Sequence, residues 1–171
     1  TDVIFAGPGV VAPSLRAETM TAQLVRPDAE AIEIDVENGL FAFPEGRVRF
    51  NVAAVSLDRT VLADIEGTWN PEDPGFGITA RGRAVAVNFA DIRSFAPERI
   101  PEEGTASFRW EVRPLPPNRT AVVLSDLTAR SGGSRVTGAL TVNLAPQSFE
   151  LRAADLLLDP LQLSLVEDML G

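Results

Sequence analysis

The sequence predicts an all-β fold, either an antiparallel curled sheet or a flattened β-sandwich, with one or two short helices. Two observations favour it: apolar residues recur at every second position in several stretches, and short runs rich in Gly, Pro, Asn and Asp separate those stretches. A chain of 171 residues is long enough to bury a hydrophobic core as one domain. We therefore expect a single β-rich domain over residues 1–171, or two tandem β units over about 1–97 and 98–171.

Apolar and polar residues alternate most clearly in five stretches, which is typical of strands with one buried and one solvent-exposed face. In chain order they are residues 31–37, 47–52, 61–69, 105–113 and 135–144. In the third stretch the alternation places four residues on the apolar side: Val61, Ala63, Ile65 and Trp69. In the fourth it places Phe108 and Trp110 opposite Arg109 and Glu111.

Turn signals and two helix signals interrupt this pattern. The turns are predicted at residues 37–39, 44–46, 70–75, 114–118 and 131–134. Residues 90–96 fit one or two helical turns before Pro97. Asp159-Pro160 is a favourable helix start, and the apolar residues that follow keep helical spacing up to Gly171. Leu161, Leu163 and Leu165 also alternate, so a strand is the alternative there.

The composition excludes several kinds of chemistry. The chain has no Cys, His, Lys or Tyr, and its 15 cations are all Arg against 24 Asp and Glu, for a net charge of −9. Disulfides, thiolate nucleophiles, Ser-His-Asp triads and Schiff-base lysines are therefore absent. Because the chain is acidic, it also lacks the basic footprint of a nucleic-acid-binding protein. We expect a protein that is not an enzyme and needs no metal or cofactor.

Carboxylates are the only acid–base groups left to consider. They occur as adjacent pairs at Glu72-Asp73, Glu102-Glu103 and Glu167-Asp168, beside Pro or Gly in the first two cases. Neighbouring residues of a strand point to opposite faces, so such a pair does not converge on one substrate. Residues 70–75 offer oxygen ligands but lack the spacing of a calcium-binding loop. We interpret these carboxylates as solvated turn residues.

The aromatic residues are the strongest candidates for a binding surface. Trp69 and Trp110 both lie on the apolar side of an alternating strand, which is typical of core packing. The alternative interpretation is an open groove that contacts lipid tails or an apolar segment of a partner. The candidates for that groove or core are Phe50, Trp69, Phe76, Phe108, Trp110, Leu140 and Phe149.

Several short motifs together resemble the AsmA/TamB-like proteins of bacterial envelopes. They are Phe-Ala-Asp-Ile at 89–92, Pro-Glu-Glu-Gly at 101–104 before the strand at 105–112, Leu-Ser-Asp-Leu at 124–127, the Gly-Ser strand at 133–140, and Asp-Pro-Leu at 159–161. The resemblance covers residues 47–171. It implies a periplasmic, inner-membrane-anchored protein whose curled sheet carries phospholipid acyl chains in an apolar groove or assists outer-membrane protein assembly. This chain is shorter and shows no anchor helix, so the resemblance implies a fragment or a short stand-alone relative.

Two functions follow as expectations. The first is a non-enzymatic module of the bacterial periplasm, peripheral to the membrane rather than spanning it, that binds phospholipid or a hydrophobic segment in an apolar groove. The alternative is an accessory structural subunit that docks on the periplasmic side of a larger respiratory, photosynthetic or secretory membrane complex. Such a subunit would use its acidic face and a sheet edge as the contact. An open apolar face favours the first function, and a closed core favours the second.

Overall fold

A computed structural model describes residues 3–6, 14–26, 29–73, 77–93, 100–116, 118–145 and 148–159, with side-chain positions for all of these except 3–6, 23–26, 29–32 and 149. The strands in these ranges are β1 (Val3–Ala6), β2 (Ser14–Arg26), β3 (Ala29–Ala42), β4 (Val48–Leu57), β5 (Thr60–Trp69), β6 (Ile78–Asn88), β7 (Thr105–Leu115), β8 (Arg119–Ser131), β9 (Ser134–Ala145) and β10 (Ser148–Asp159). Helix α1 spans Phe89–Arg93, and a 3-10 turn spans Pro44–Gly46.

The ten strands form one open antiparallel sheet. Each strand pairs with the strand before it in the chain, so the spatial order is the chain order from β1 to β10. The sheet is curled and does not close on itself, which confirms the predicted all-β class and, of its two forms, the curled sheet. In the described ranges no helix is both long enough and apolar enough to cross a membrane.

The strand register joins apolar residues into rows that cross the sheet on one face, here called the apolar face. Residues directly opposite each other in antiparallel strands share a face. The longest row runs from β2 to β10 through Leu15, Phe41, Phe50, Gly67, Ala80, Val112, Val122, Val142 and Leu151. The adjacent row runs from β6 to β10 through Gly82, Trp110, Leu124, Leu140 and Ala154.

The hydrophobic core lies on this face and is one layer thick. Its first buried cluster is Val36, Val52 and Ile65, and its second is Ala84, Val87 and Ala106. Leu62 and Trp110 pack against both clusters and so join them. Among the described residues no large side chain is completely buried, because no second layer of structure covers the sheet there.

A change in alternation halfway along strand β5 keeps its apolar residues on the apolar face. Leu62 and Ile65 are three positions apart and would face opposite ways in a regular strand. Both nevertheless belong to the first cluster. Asp64, between them, has a φ of 52°, a left-handed conformation that shifts the alternation by one residue. The predicted apolar side of residues 61–69 is therefore wrong in its first half: Leu62 packs in the core instead of Val61 and Ala63.

Two other strands also contain a residue with this left-handed conformation. Asn38 in β3 has a φ of 50°, and Asp126 in β8 has a φ of 53° beside a register shift in the pairing with β9. Asn38 and Asp64 are neighbours across β4, since both face the position of Ala53. We call Asn38, Asp64 and Asp126 the bend line. Irregular residues of this kind bend strands and increase their twist, which accounts for the curl of the sheet.

The turn predicted at residues 37–39 is wrong, because these residues lie inside β3. Asn and Gly favour positive φ in turns, and here Asn38 uses that preference within a strand. The turns at 44–46, 114–118 and 131–134 are confirmed as connections between strands. Residues 70–73 form the described part of the fourth turn, in which the Asp73 amide donates to the Asn70 carbonyl at 3.2 Å.

The helix predicted at residues 90–96 is present as α1, although residues 94–99 lie outside the described part. The second predicted helix also lies there, since the description ends at Asp159, the last residue of β10.

We expect the bend line to tolerate glycine and to reject β-branched residues. Asn38→Val should lower the free energy of unfolding by about 1–2 kcal/mol, because left-handed backbone is costly for residues with a Cβ and most costly for branched ones. Asn38→Gly should change it by less than about 0.5 kcal/mol. Urea denaturation measures both.

Glu37→Val is the matched control, because Glu37 is the exposed neighbour of Asn38 in the same strand. Valine suits an extended backbone, so this change should leave the unfolding midpoint within error or raise it. Equal losses at positions 37 and 38 would show that the left-handed conformation of Asn38 is not what matters.

Candidate functional site

Two aromatic rings on the apolar face lie close against glycines of a neighbouring strand. A Cβ atom placed on Gly67 would lie 2.6 Å from Cζ of Phe50, and one placed on Gly82 would lie 2.8 Å from Cζ2 of Trp110. Each ring belongs to the residue directly opposite its glycine. Glycine permits this close approach because it has no side chain. The centre of the apolar face thus consists of small residues, here called the floor, which the protein's own aromatic rings cover.

The structure places five of the seven candidate residues on this apolar face. Phe50 and Trp110 pack against the first cluster, and Phe108 and Trp110 pack against the second. Leu140 continues the row of Trp110 towards β10. Trp69 lies at the end of β5, opposite Val48 and Ile78, and is well exposed.

The other two candidates are only partly described or lie outside the description. The backbone of Phe149 pairs with Leu144 in β9, which places Phe149 near the edge of the sheet. Phe76 lies outside the described residues.

Sequence reasoning missed several residues of the apolar face, among them Phe41, Leu62, Val122 and Leu124. Leu62 was hidden by the change of alternation at Asp64. Val122 and Leu124 lie in β8, which is irregular at Asp126 and was not among the five alternating stretches. The signal available for β8 was the alternation of Thr120, Val122 and Leu124 immediately before that irregularity.

The indole of Trp110 is held by packing rather than by a hydrogen bond. Its Nε1 is buried and has no hydrogen-bond partner among the described residues. A buried donor without a partner costs about 1–3 kcal/mol. The ring can therefore move off Gly82 without breaking a hydrogen bond of the indole N–H.

The opposite face of the sheet is polar and carries ion pairs between neighbouring strands. Nε of Arg83 donates to Oδ2 of Asp64 at 2.7 Å, and Nε of Arg109 lies 3.2 Å from Oδ2 of Asp126. These pairs are exposed, so each contributes at most about 1 kcal/mol to stability. They attach arginines to two residues of the bend line.

Two open depressions of about 490 and 400 Å³ lie among the described residues, and the smaller one borders these ion pairs. Both are lined by Glu66, Arg81 and Glu111, and Arg81 forms a salt bridge with Glu66. Opposite charges satisfy each other here, so the depressions present no concentrated charge of one sign. In the described residues no group of three or more Asp and Glu side chains is placed to hold a metal ion.

Asp91, in the Phe-Ala-Asp-Ile motif, has a structural role. Its buried carboxylate accepts hydrogen bonds from the Arg59 amide at 3.0 Å and from the Thr60 hydroxyl at 2.9 Å. The Thr60 oxygen in turn accepts a hydrogen bond from the Asn88 amide at 3.0 Å. Asp91 thereby fastens α1 to the turn between β4 and β5, at the end of the second core cluster.

Comparisons with known proteins identify no relative. No protein-family model matches the chain, and neither a curated protein nor a solved structure matches it. The function is therefore argued from the geometry of the sheet.

Removing the Asp91 carboxylate should destabilise the fold. Asp91→Ala leaves the Arg59 amide and the Thr60 hydroxyl without their acceptor, so the free energy of unfolding should fall by about 1–3 kcal/mol in urea denaturation. Asp58→Asn is the control: it removes an exposed contact with the same arginine and keeps a residue that tolerates positive φ. If the two variants lose equal stability, the buried carboxylate is not the anchor.

Filling the space beneath the Trp110 ring should shift the ring and weaken the core. Gly82→Ala should cost about 1–3 kcal/mol in unfolding free energy through overpacking. In a Trp69→Phe background, where Trp110 is the only tryptophan, its emission maximum should change as well. Val85→Ala, an exposed change in the same strand, should alter neither quantity. An unchanged emission maximum in Gly82→Ala would contradict the close approach of the ring to Gly82.

Proposed function

We propose that this chain is a non-enzymatic β-rich module of the bacterial periplasm that binds phospholipid acyl chains, or a hydrophobic segment, along its apolar face. The observation that carries the proposal is the set of apolar rows crossing the sheet, over which the described residues place no second layer. A contiguous apolar surface of this kind is typical of an interaction site. The resemblance of residues 47–171 to AsmA/TamB-like proteins agrees with the same role.

The dimensions of the apolar face suit an extended apolar ligand. The longest row crosses nine strands, β2 to β10, and strands lie about 4.8 Å apart, so the row is roughly 38 Å long. Each buried methylene contributes about 0.8 kcal/mol. Burying about five methylenes along such a row would contribute about 4 kcal/mol, before the cost of immobilising the ligand.

The aromatic rings support reversible occupation of this face. Phe50 and Trp110 cover a floor that consists of Gly67, Ala80 and Gly82. Rotation of a ring away from the floor would open space without moving the backbone. Because the indole N–H of Trp110 has no partner among the described residues, this rotation breaks no hydrogen bond of that group there.

An accessory subunit of a larger membrane complex is the second candidate, and an acidic stripe on the polar face favours it. Glu33, Asp35 and Glu37 occupy alternate, exposed positions of β3. The residues opposite them on β2 are Gln23, Thr21 and Thr19, so no cation faces them there. A basic surface of a partner protein would complement this stripe.

The lipid proposal predicts that binding depends on one face of the sheet. Trp69→Glu should weaken the affinity for a short-chain phosphatidylethanolamine at least tenfold, because it places a charge on the apolar face. Leu40→Glu is the matched control, since Leu40 has a similar exposure (48%, against 45% for Trp69) but lies in the row of Asn51 and Glu66 on the polar face. Isothermal titration calorimetry measures both, and lipid binding should show a negative heat-capacity change.

Equal weakening by the two variants would contradict binding on the apolar face. Two results together would favour the accessory subunit instead. The unmodified chain would bind no lipid, and it would capture a basic protein of a membrane complex through an interaction that requires Glu33 and Glu37.

A further inference from the structure

Strand β10 presents leucines at an edge of the sheet. Leu151 is 57% exposed, Leu156 38% and Leu157 68%. In the described part of the chain β10 pairs with β9 only, so one side of its backbone faces away from the sheet. Edges with large exposed apolar side chains favour association with another strand.

The alternation of β10 changes near the middle of the strand. Its register with β9 shifts by one residue between Leu151 and Ala153. Before the shift the apolar face takes odd-numbered residues, such as Leu151. After the shift it takes even-numbered residues, such as Ala154 opposite Leu140 and Leu156 two positions further on. The two halves of the strand therefore alternate in opposite phase.

We propose that a second copy of this chain pairs with β10 along this edge, antiparallel and around a two-fold axis. In the one register that uses all twelve residues of both strands, Ser148 of one copy lies opposite Asp159 of the other, and odd-numbered residues face even-numbered ones. A regularly alternating strand would bring opposite faces together in this register. The shift makes the two halves match instead, so that Leu151 of one copy faces Leu156 of the other on the apolar side.

The charges of β10 fit the same register. Arg152 of each copy lies opposite Asp155 of the other, so this pair of opposite charges occurs twice across the axis. Within its own strand, Nη1 of Arg152 lies 2.7 Å from Oε1 of Glu150, which leaves the arginine at the edge. Bulges and charged residues usually protect a sheet edge from association. Here both are placed where a second copy complements them.

The pairing would be comparable in size to a known class of interface. Two facing strands of this length exchange about ten backbone hydrogen bonds, as many as a typical protein interface contains. The apolar faces of the two copies would meet at the axis and form one continuous surface, because Leu151 and Leu156 lie on that face in both copies.

Charge reversal tests the proposal by sedimentation equilibrium of the full chain over a range of concentrations. The unmodified chain should show a monomer–dimer equilibrium. Arg152→Asp should weaken the dimer at least tenfold, because it places like charges opposite each other twice. Combining Arg152→Asp with Asp155→Arg should restore the original dimerisation constant. Arg113→Asp makes the same charge change at an exposed position of the interior strand β7 and should leave the constant unchanged.

The register has a separate test, because the chain has no cysteine. Residues directly opposite each other have Cβ atoms about 5 Å apart. Oxidation of an equal mixture of Leu151→Cys and Leu156→Cys chains should therefore give a disulfide-linked dimer, and oxidation of either chain alone should not.

Three results would overturn the proposal. In the first, the unmodified chain is monomeric at every concentration, so no second copy pairs with the edge. In the second, Arg152→Asp and Arg113→Asp weaken the dimer equally, so the dimer uses another surface. In the third, the double reversal does not restore the dimer and the mixed cysteine chains do not cross-link, so the register is different. Circular dichroism of each variant confirms that the sheet remains folded. None of these outcomes depends on lipid affinity, so the proposal can fail while the proposed function stands.

Discussion

The structure depends on keeping all the apolar side chains of a single-layer sheet on one face. Side chains alternate along a strand, so any irregularity that bends the sheet would turn the following apolar residues towards water. Asn38, Asp64 and Asp126 resolve this conflict by adopting left-handed backbone at the bend. Leu62 and Ile65 consequently pack in the same cluster although they are an odd number of residues apart. The left-handed conformation of these three residues therefore accounts both for the curl of the sheet and for its continuous apolar face.

The core and the proposed binding surface are the same set of residues. The rings of Phe50 and Trp110 stabilise the free sheet by covering Gly67 and Gly82, and a bound acyl chain would compete with them for that floor. Ligand binding and stability are therefore coupled through these two rings. The Asp91 anchor lies away from the floor, where it holds α1 to the turn at Arg59 and Thr60. It can maintain the end of the core while the rings move.

The sequence was sufficient for the fold class and for the face on which most candidates lie, because alternation reports burial directly. It identified strands where alternation is regular, as around Phe108 and Trp110. It failed where the alternation changes within a strand: Asn38 was predicted in a turn, and the predicted apolar side of residues 61–69 did not include Leu62. The glycine floor depends on strand register, which one sequence does not determine, since a slip of one residue reverses every side chain.

Native mass spectrometry of the gently purified chain, with lipid analysis of the same sample, tests the central claim most directly. A polypeptide carrying phospholipid in a fixed ratio, lost in Trp69→Glu and retained in Leu40→Glu, is the result the open apolar face predicts. A lipid-free chain bound to other polypeptides would contradict it and favour an accessory subunit. A lipid-free monomer whose apolar face is accessible to solvent would contradict it as well.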